Sequence, residues 1–106
     1  MDDMLKELQA TFIAEAEGIL EGLEASLLEL DAGRSDPELL NKLFRLAHNF
    51  KGSARSVGFT ELADLAHKLE DILSALKSNK LEATPPIVSA LLKGADGLKS
   101  GGSLGP

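Results

Sequence analysis

The fold of this chain is decided by residues 39–57, which read LLNKLFRLAHNFKGSARSV. Apolar side chains recur in this stretch at steps of three and four residues, at Leu39, Leu43, Ala47, Phe50, Ala54 and Val57. That spacing places them on one face of an α-helix and leaves the polar residues on the other face. The stretch therefore predicts an amphipathic helix that buries one side against other helices.

Three more amphipathic segments flank this stretch. The first, from about Asp3 to Asp31, has an apolar stripe formed by Leu5, Leu8, Phe12, Ala16, Ile19, Leu23, Leu27 and Leu30. The third segment begins near Thr60, and its stripe is Leu62, Leu65, Leu69, Ile72 and Leu76. The fourth begins near Pro85, and its stripe is Ile87, Val88, Leu91, Leu92, Ala95 and Leu98. It also contains Gly94 and Gly97, each of which costs a helix about 1 kcal/mol relative to Ala.

The segments are separated by residues that end or begin helices. Gly33 is suited to the left-handed turn after the first helix, and Ser35-Asp36-Pro37 offers a cap followed by Pro at the start of the second. We predict Thr60 as the cap of the third helix, Asn79 as its terminator, and residues 84–86 as the start of the fourth. Short connections make neighbouring helices antiparallel. The prediction is an all-α, up-down-up-down four-helix bundle over residues 1–99, which a fifth helix outside this sequence could extend, followed by a flexible linker at 100–106.

Composition excludes several classes of protein. The chain has 106 residues, no Cys and a formal charge of −6, and its 21 Leu against nine β-branched residues favour helix over sheet. Without Cys there is no disulfide framework, thiolate zinc site or cysteine nucleophile. The acidic N-terminus is unlike a signal peptide, and no apolar run approaches the roughly 18 residues of a membrane span. The acidic balance argues against nucleic-acid binding, and we expect a cytoplasmic protein.

Acidic and basic residues lie in different segments of the chain, and one histidine lies within the basic segment. Nine acids and one base occupy residues 2–31, whereas residues 39–60 carry four bases and no acid: Lys42, Arg45, Lys51 and Arg55. At about 100° per residue, His48 points about 140° away from the apolar stripe of this helix. Gly52, one turn later, leaves the imidazole accessible. The basic helix would attract an anion or an acidic partner.

The third segment supplies a carboxylate for this histidine. Because His67 and Glu70 are three residues apart, they are neighbours at the edge of its apolar stripe. If the second and third helices pack antiparallel, Glu70 can accept the Nδ1 proton of His48 and leave Nε2 as a nucleophile. The sequence has no serine elbow, Walker-type loop or acid/base pair of carboxylates. The imidazole itself is therefore the candidate reactive group.

Two runs resemble the histidine phosphotransfer (HPt) family. Residues 46–59, LAHNFKGSARSVGF, have Lys and Gly three and four positions after the His, and residues 65–73, LAHKLEDIL, have the His and Glu typical of the N-terminal phosphotransfer domain of CheA-type chemotaxis histidine kinases. The resemblance implies that His48 is phosphorylated on Nε2 by a kinase catalytic domain and then passes the phosphoryl group to an aspartate of a response regulator, CheY-like or CheB-like. Arg55 departs from the family pattern, since many members have a small residue or Gly at this position.

The resemblance also implies the other site residues. Lys51 would contact the phosphoryl oxygens, Glu70 would orient the imidazole, and His67 would join the same hydrogen-bonded cluster. The docking face for the regulator would comprise Asn41, Phe44, Arg45, Gly52 and Arg55. No cofactor or metal is expected in this domain: ATP and Mg²⁺ would be bound by the kinase domain, Mg²⁺ by the regulator, and nothing here resembles a site for ATP.

Two other functions fit parts of the pattern. A non-catalytic docking domain would bind an acidic partner through the basic second helix, would tolerate loss of the imidazole, and would weaken steeply with salt. A bundle metal site would recruit Asp64, His67, Glu70 and His48. That site lacks the second Glu-x-x-His pair of di-iron bundles, and its histidines lie off the apolar stripes.

Overall fold

Four α-helices and no strand make up residues 2–101, the part of the chain that the computed structural model describes. The helices are α1 (Asp2–Asp31), α2 (Pro37–Ser56), α3 (Thr60–Lys77) and α4 (Pro85–Lys99). Each packs on its neighbour in the chain, α4 returns to α1, and within this part of the chain neither diagonal pair is in contact. The predicted all-α four-helix bundle is confirmed. The predicted linker falls largely on residues 102–106, outside the described residues.

The turn into α2 follows the sequence prediction. Gly33 adopts a φ of 105°, and the Asp36 carboxylate accepts a hydrogen bond from the backbone N–H of Leu39. Pro37 then occupies the first turn of the helix, where its missing N–H leaves no bond unmade. Arg34 reinforces the turn by pairing with Asp36 and, at 2.7 Å, with Glu29.

The turn into α3 differs from the prediction at one residue. Thr60 is the first residue of the helix, and Phe59 occupies the capping position with no side-chain cap. The Phe59 carbonyl accepts from Ala63, and its ring lies 5.5 Å from that of Phe12 in the core. Packing of this aromatic ring therefore fixes where the helix begins, and Thr60 does not act as a cap. Gly58 makes the turn possible with a φ of 86°.

The predicted stripe of α1 is wrong at its N-terminal end. Leu5 and Leu8 are 44% and 52% exposed. Gln9 donates a 2.8 Å hydrogen bond to the carbonyl of Val57, the residue at which α2 ends. The turns of α1 before Gln9 therefore extend past the end of α2, and their leucines stay largely exposed among the residues that the structure describes. Further along, Leu20 is buried, and Ile19, predicted in its place, is only half-buried.

Two glycines set how closely α4 approaches α3. A Cβ added to Gly94 would lie 2.5 Å from Cδ2 of Leu69, and one added to Gly97 would lie 2.8 Å from Cδ2 of Leu65. The two glycines lower the helix propensity of α4, but they let α4 lie directly on the leucines of α3. The close contact offsets the loss of helix propensity. No helix in residues 2–101 is both long and apolar enough to cross a membrane.

Candidate functional site

Small side chains bring the two site-bearing helices together. α2 and α3 share the most extensive helix–helix contact in the bundle. Its alanines are fully buried and come from both helices: Ala47, Ala54, Ala63 and Ala66. Because interaxial distance depends on the side chains at the contact, alanine allows the two backbones to approach closely. Polar side chains at the edge of this seam can therefore reach across it.

His48 meets Glu70 across the seam. The Nδ1 atom of His48 is hydrogen-bonded to Oε2 of Glu70, as the sequence predicted. An ionised carboxylate only accepts hydrogen bonds, so Nδ1 must carry the proton of this bond. In the neutral form of the imidazole the lone pair then lies on Nε2. The His48 side chain is 57% exposed, whereas that of Glu70 is 9% exposed. The imidazole is therefore exposed at the surface, and a buried carboxylate fixes its orientation through Nδ1.

Lys51 completes a three-residue cluster with Glu70 and His48. Its Nζ donates to Oε1 of Glu70 at 2.5 Å, so each oxygen of the carboxylate has its own donor. Burial by itself raises the pKa of Glu70, but the hydrogen bonds from Lys51 and His48 outweigh it and lower that pKa below its ordinary value. Glu70 is therefore ionised at neutral pH. The contact between Lys51 and Glu70 is one that the sequence analysis did not predict.

His67 lies outside this cluster, so the prediction that it joins His48 and Glu70 is wrong. Its side chain is 51% exposed, and its Nε2 lies 3.6 Å from a carboxylate oxygen of Asp71. No hydrogen bond joins it to His48 or Glu70 within residues 2–101. Three residues along a helix correspond to a rotation of about 60° between side chains. That rotation turns His67 away from the seam into which Glu70 points.

Two side chains beside the imidazole enlarge the site. Phe44, predicted as part of the docking face, stacks on His48 with ring centroids 6.0 Å apart and an angle of 12° between the planes. Nζ of Lys77, which the sequence analysis missed, lies 4.2 Å from the centre of the Phe44 ring. The signal was present, since Lys77 is seven residues after Glu70 and two helical turns return it to the same face.

The remaining docking residues surround His48 on the exposed face of α2. Asn41, Arg45, Gly52 and Arg55 are all exposed. A Cβ added to Gly52 would meet nothing within 4 Å, so no contact with the described part of the chain, residues 2–101, requires glycine there. Arg55 lies 3.8 Å from Asp64, and both side chains are more than half exposed. This face is open to a partner beside the imidazole.

The residues of the alternative metal site do not come together in the part of the chain that the structure describes. Asp64 is paired with Arg55, His67 with Asp71, and Glu70 with Lys51 and His48. The structure brings no three His, Asp or Glu side chains together in a metal-binding arrangement within residues 2–101. Of the four residues of that alternative, His48 and Glu70 are joined by a hydrogen bond.

Comparison with known proteins places this geometry in context. The model of the Hpt domain family matches residues 7–101. The chain is 36% identical over 100 residues to the sensor histidine kinase CheAY of Helicobacter pylori, and 37% identical over 92 residues to the chemotaxis protein CheA of Rhizobium meliloti. The matches cover 94% and 87% of this chain but 12% of each relative, so the chain spans about an eighth of their length.

Two solved structures share the fold. The CheA phosphotransferase domain from Thermotoga maritima superposes with a TM-score of 0.82 and 32% identity, covering 92% of each chain. The phosphorylated P1 domain of CheA3 in complex with CheY6 from R. sphaeroides superposes with a TM-score of 0.81 and 32% identity, covering 89% of this chain and 73% of the other. The bundle and its helix order are therefore those of a phosphotransfer domain.

Proposed function

The chain belongs to the Hpt domain family, and from that premise we propose that His48 is the phosphoacceptor of a CheA-type histidine kinase in chemotaxis signalling. In this role His48 takes a phosphoryl group from a kinase catalytic domain and passes it to an aspartate of a response regulator. The observation that supports the assignment is the hydrogen bond between Nδ1 of His48 and the buried, ionised Glu70. With the proton of the neutral imidazole held at Nδ1, the lone pair that a nucleophile needs lies on Nε2.

The geometry accounts for both transfers. In the first, the Nε2 lone pair attacks the γ-phosphorus of ATP held by the kinase domain, an N–P bond forms, and ADP leaves with the electrons of the broken O–P bond. The imidazole becomes positively charged as its lone pair is used, and the Glu70 carboxylate at Nδ1 stabilises that charge. In the second, a carboxylate oxygen of the regulator attacks phosphorus, and the electrons of the N–P bond return to Nε2.

Lys51 has a place in the same sequence of steps. A phosphoryl group on Nε2 adds between one and two negative charges at neutral pH. Lys51 lies one turn along α2 from His48 and is 16% exposed at its side chain, held by Glu70. We assign it to balance the phosphoryl charge while keeping Glu70 ionised. Phosphoryl transfer depends mainly on positioning and charge stabilisation, so this small set of residues suffices.

The partners follow from the exposed face around His48. A P1 domain with the same fold is found phosphorylated and bound to CheY6. In this chain the corresponding partner would be a receiver domain docked on the docking face, with space left by Gly52 beside the imidazole. ATP and Mg²⁺ would be bound by the kinase domain, and Mg²⁺ by the receiver. The proposal places the domain in the cytoplasm, where ATP is available to its kinase.

The experiment is direct detection of the phosphorylated nitrogen. The domain is incubated with a CheA-type catalytic domain and Mg-ATP, and ³¹P and ¹⁵N NMR are recorded for the wild type, His48→Gln and His67→Gln. We expect Nε2 phosphohistidine in the wild type and in His67→Gln, and none in His48→Gln. Equal labelling of His48→Gln, or no labelling by a kinase that phosphorylates its own P1 domain, would contradict the assignment and favour a docking module.

A further inference from the structure

The imidazole of His48 is held at more than one point. Glu70 fixes its Nδ1 atom, and the ring of Phe44 lies nearly parallel to it at a centroid distance of 6.0 Å. A ring held only at one atom can still swing about that bond. A flat apolar neighbour one turn earlier on the same helix restricts this rotation, because tilting the imidazole would bring it against the phenyl ring.

Lys77 holds the phenyl ring in turn. Its Nζ lies 4.2 Å from the centre of the Phe44 ring, well inside the distance of about 6 Å at which a cation is attracted to an aromatic face. Lys77 comes from α3, whereas Phe44 and His48 come from α2. The contact of Lys77 with Phe44 therefore links α3 to α2. The hydrogen bond between Glu70 and His48 makes the same link one turn nearer the C-terminus of α2.

We propose that Phe44 and Lys77 form a positioning pair for the phosphoacceptor: Phe44 fixes the plane of the His48 ring, and Lys77 fixes Phe44. This inference rests on the proposed phosphotransfer function. Phe44 and Lys77 together fix the direction of the lone pair on Nε2 of His48, whereas Glu70 determines which ring nitrogen carries that lone pair. Neither Phe44 nor Lys77 takes part in a bond that forms or breaks.

The charge of Lys77 gives the pair a second effect. The two distances together place Nζ no more than about 10 Å from the centre of the imidazole, about one Debye length at 0.1 M salt. Lys51 is already paired with Glu70, whereas Lys77 has no carboxylate partner within residues 2–101. Its positive charge is therefore not neutralised by a carboxylate there, and it attracts the phosphoryl group from its position over the Phe44 ring.

The test compares three lysine variants as substrates of a CheA-type catalytic domain with Mg-ATP. Lys77→Gln removes the cation, and Lys77→Arg keeps it and its affinity for an aromatic ring. Lys68→Gln makes the same charge change from an exposed position about half a turn round α3 from Lys77. A cation–aromatic contact at an exposed site corresponds to a change in rate of about two- to fivefold. We expect that loss in kcat for Lys77→Gln, near-normal rates for Lys77→Arg, and no change for Lys68→Gln.

A second measurement needs no kinase. Stacking on Phe44 shifts the ring protons of His48 upfield in the ¹H NMR spectrum, and Phe44→Leu should remove that shift while Lys77→Gln reduces it. Circular dichroism checks that each variant is folded. Normal kcat in Lys77→Gln, an equal loss in Lys68→Gln, or ring-proton shifts unaffected by Phe44→Leu would each overturn the positioning pair. If the wild type is not phosphorylated, the proposed function fails, whereas the ring-proton shifts still report whether the stack exists.

Discussion

Replacing Glu70 by glutamine should slow phosphorylation of His48 while leaving the bundle folded. The substitution keeps the shape of the side chain and its carbonyl oxygen but removes its charge. Nδ1 of His48 can still donate to the amide oxygen. What is lost is a charged acceptor beneath a ring that becomes positive as Nε2 forms its bond to phosphorus.

The size of the effect follows from the hydrogen bond that Glu70 accepts from His48. A hydrogen bond to a charged group contributes about 1.5–3 kcal/mol, and one between neutral groups about 0.5–1.5 kcal/mol. Removing the charge from the bond to His48 therefore weakens it by about 1–1.5 kcal/mol, or about tenfold in rate. Glu70→Ala removes the bond altogether and should slow the reaction by up to about 100-fold.

Steady-state phosphorylation with the domain as substrate measures this effect. Glu70 is buried, so its side chain lies out of reach of the kinase. We therefore expect kcat to fall while KM stays nearly constant. The matched control is Asp71→Asn, which removes an exposed carboxylate at the next position on α3. If Glu70→Gln keeps a rate within about twofold of the wild type, or if Asp71→Asn loses as much, the orienting role is wrong.

The same variant should change how stability depends on pH. The pKa of Glu70 is lowered in the folded state, since the hydrogen bonds from Lys51 and His48 outweigh burial. Such a carboxyl stabilises the fold above its ordinary pKa of 4.5, and this contribution is lost as the pH falls through the lowered value. Urea unfolding should therefore show a larger gap between wild type and Glu70→Gln at neutral pH than in strong acid. An equal gap at both would contradict the lowered pKa.

Four further substitutions separate effects on stability from effects on transfer. Ser26→Ala removes a fully buried hydroxyl that has no hydrogen-bond partner in residues 2–101, so urea unfolding should show a gain of about 1 kcal/mol, and a loss would refute the reasoning. Gly94→Ala should lose about 1–3 kcal/mol through overpacking on α3, whereas Gly18→Ala, with nothing within 4 Å of its Cβ, should gain up to about 1 kcal/mol. Gly52→Leu should keep or raise the melting temperature yet slow transfer to a receiver domain, and an unchanged transfer rate would show that this glycine has no access role.

The architecture was largely readable from periodicity, and the errors have local physical causes. Stripes at helical spacing predict four helices, but periodicity does not reveal where a neighbouring helix ends. Leu5 and Leu8 continue the stripe of α1 and are exposed because α2 stops at the level of Gln9. Likewise, Thr60 has the chemistry of a cap, but packing of Phe59 against Phe12 sets the start of α3.

At the site, the contact between His48 and Glu70 was predictable from the sequence, whereas the contacts of the two lysines were not. Facing positions on two antiparallel helices are enough to place Glu70 beside His48, since the main unknown is which faces meet. The contact of Lys51 with Glu70 and the side chain of Lys77 over Phe44 depend on how far long, flexible chains extend. Lysine has many rotamers, and sequence spacing does not select among them.

The residues to which we assign a function are those at which the chain departs from the rules that stabilise a helical bundle. Glu70 is a carboxylate in a buried position, and Gly52 lies inside a helix with no neighbour that requires it. The burial of Glu70 is tolerable only because both of its oxygens are hydrogen-bonded to cationic or ring nitrogens across a seam lined with alanine. Gly52 has no such compensation among residues 2–101, which is the pattern expected if the proposed partner docks beside His48.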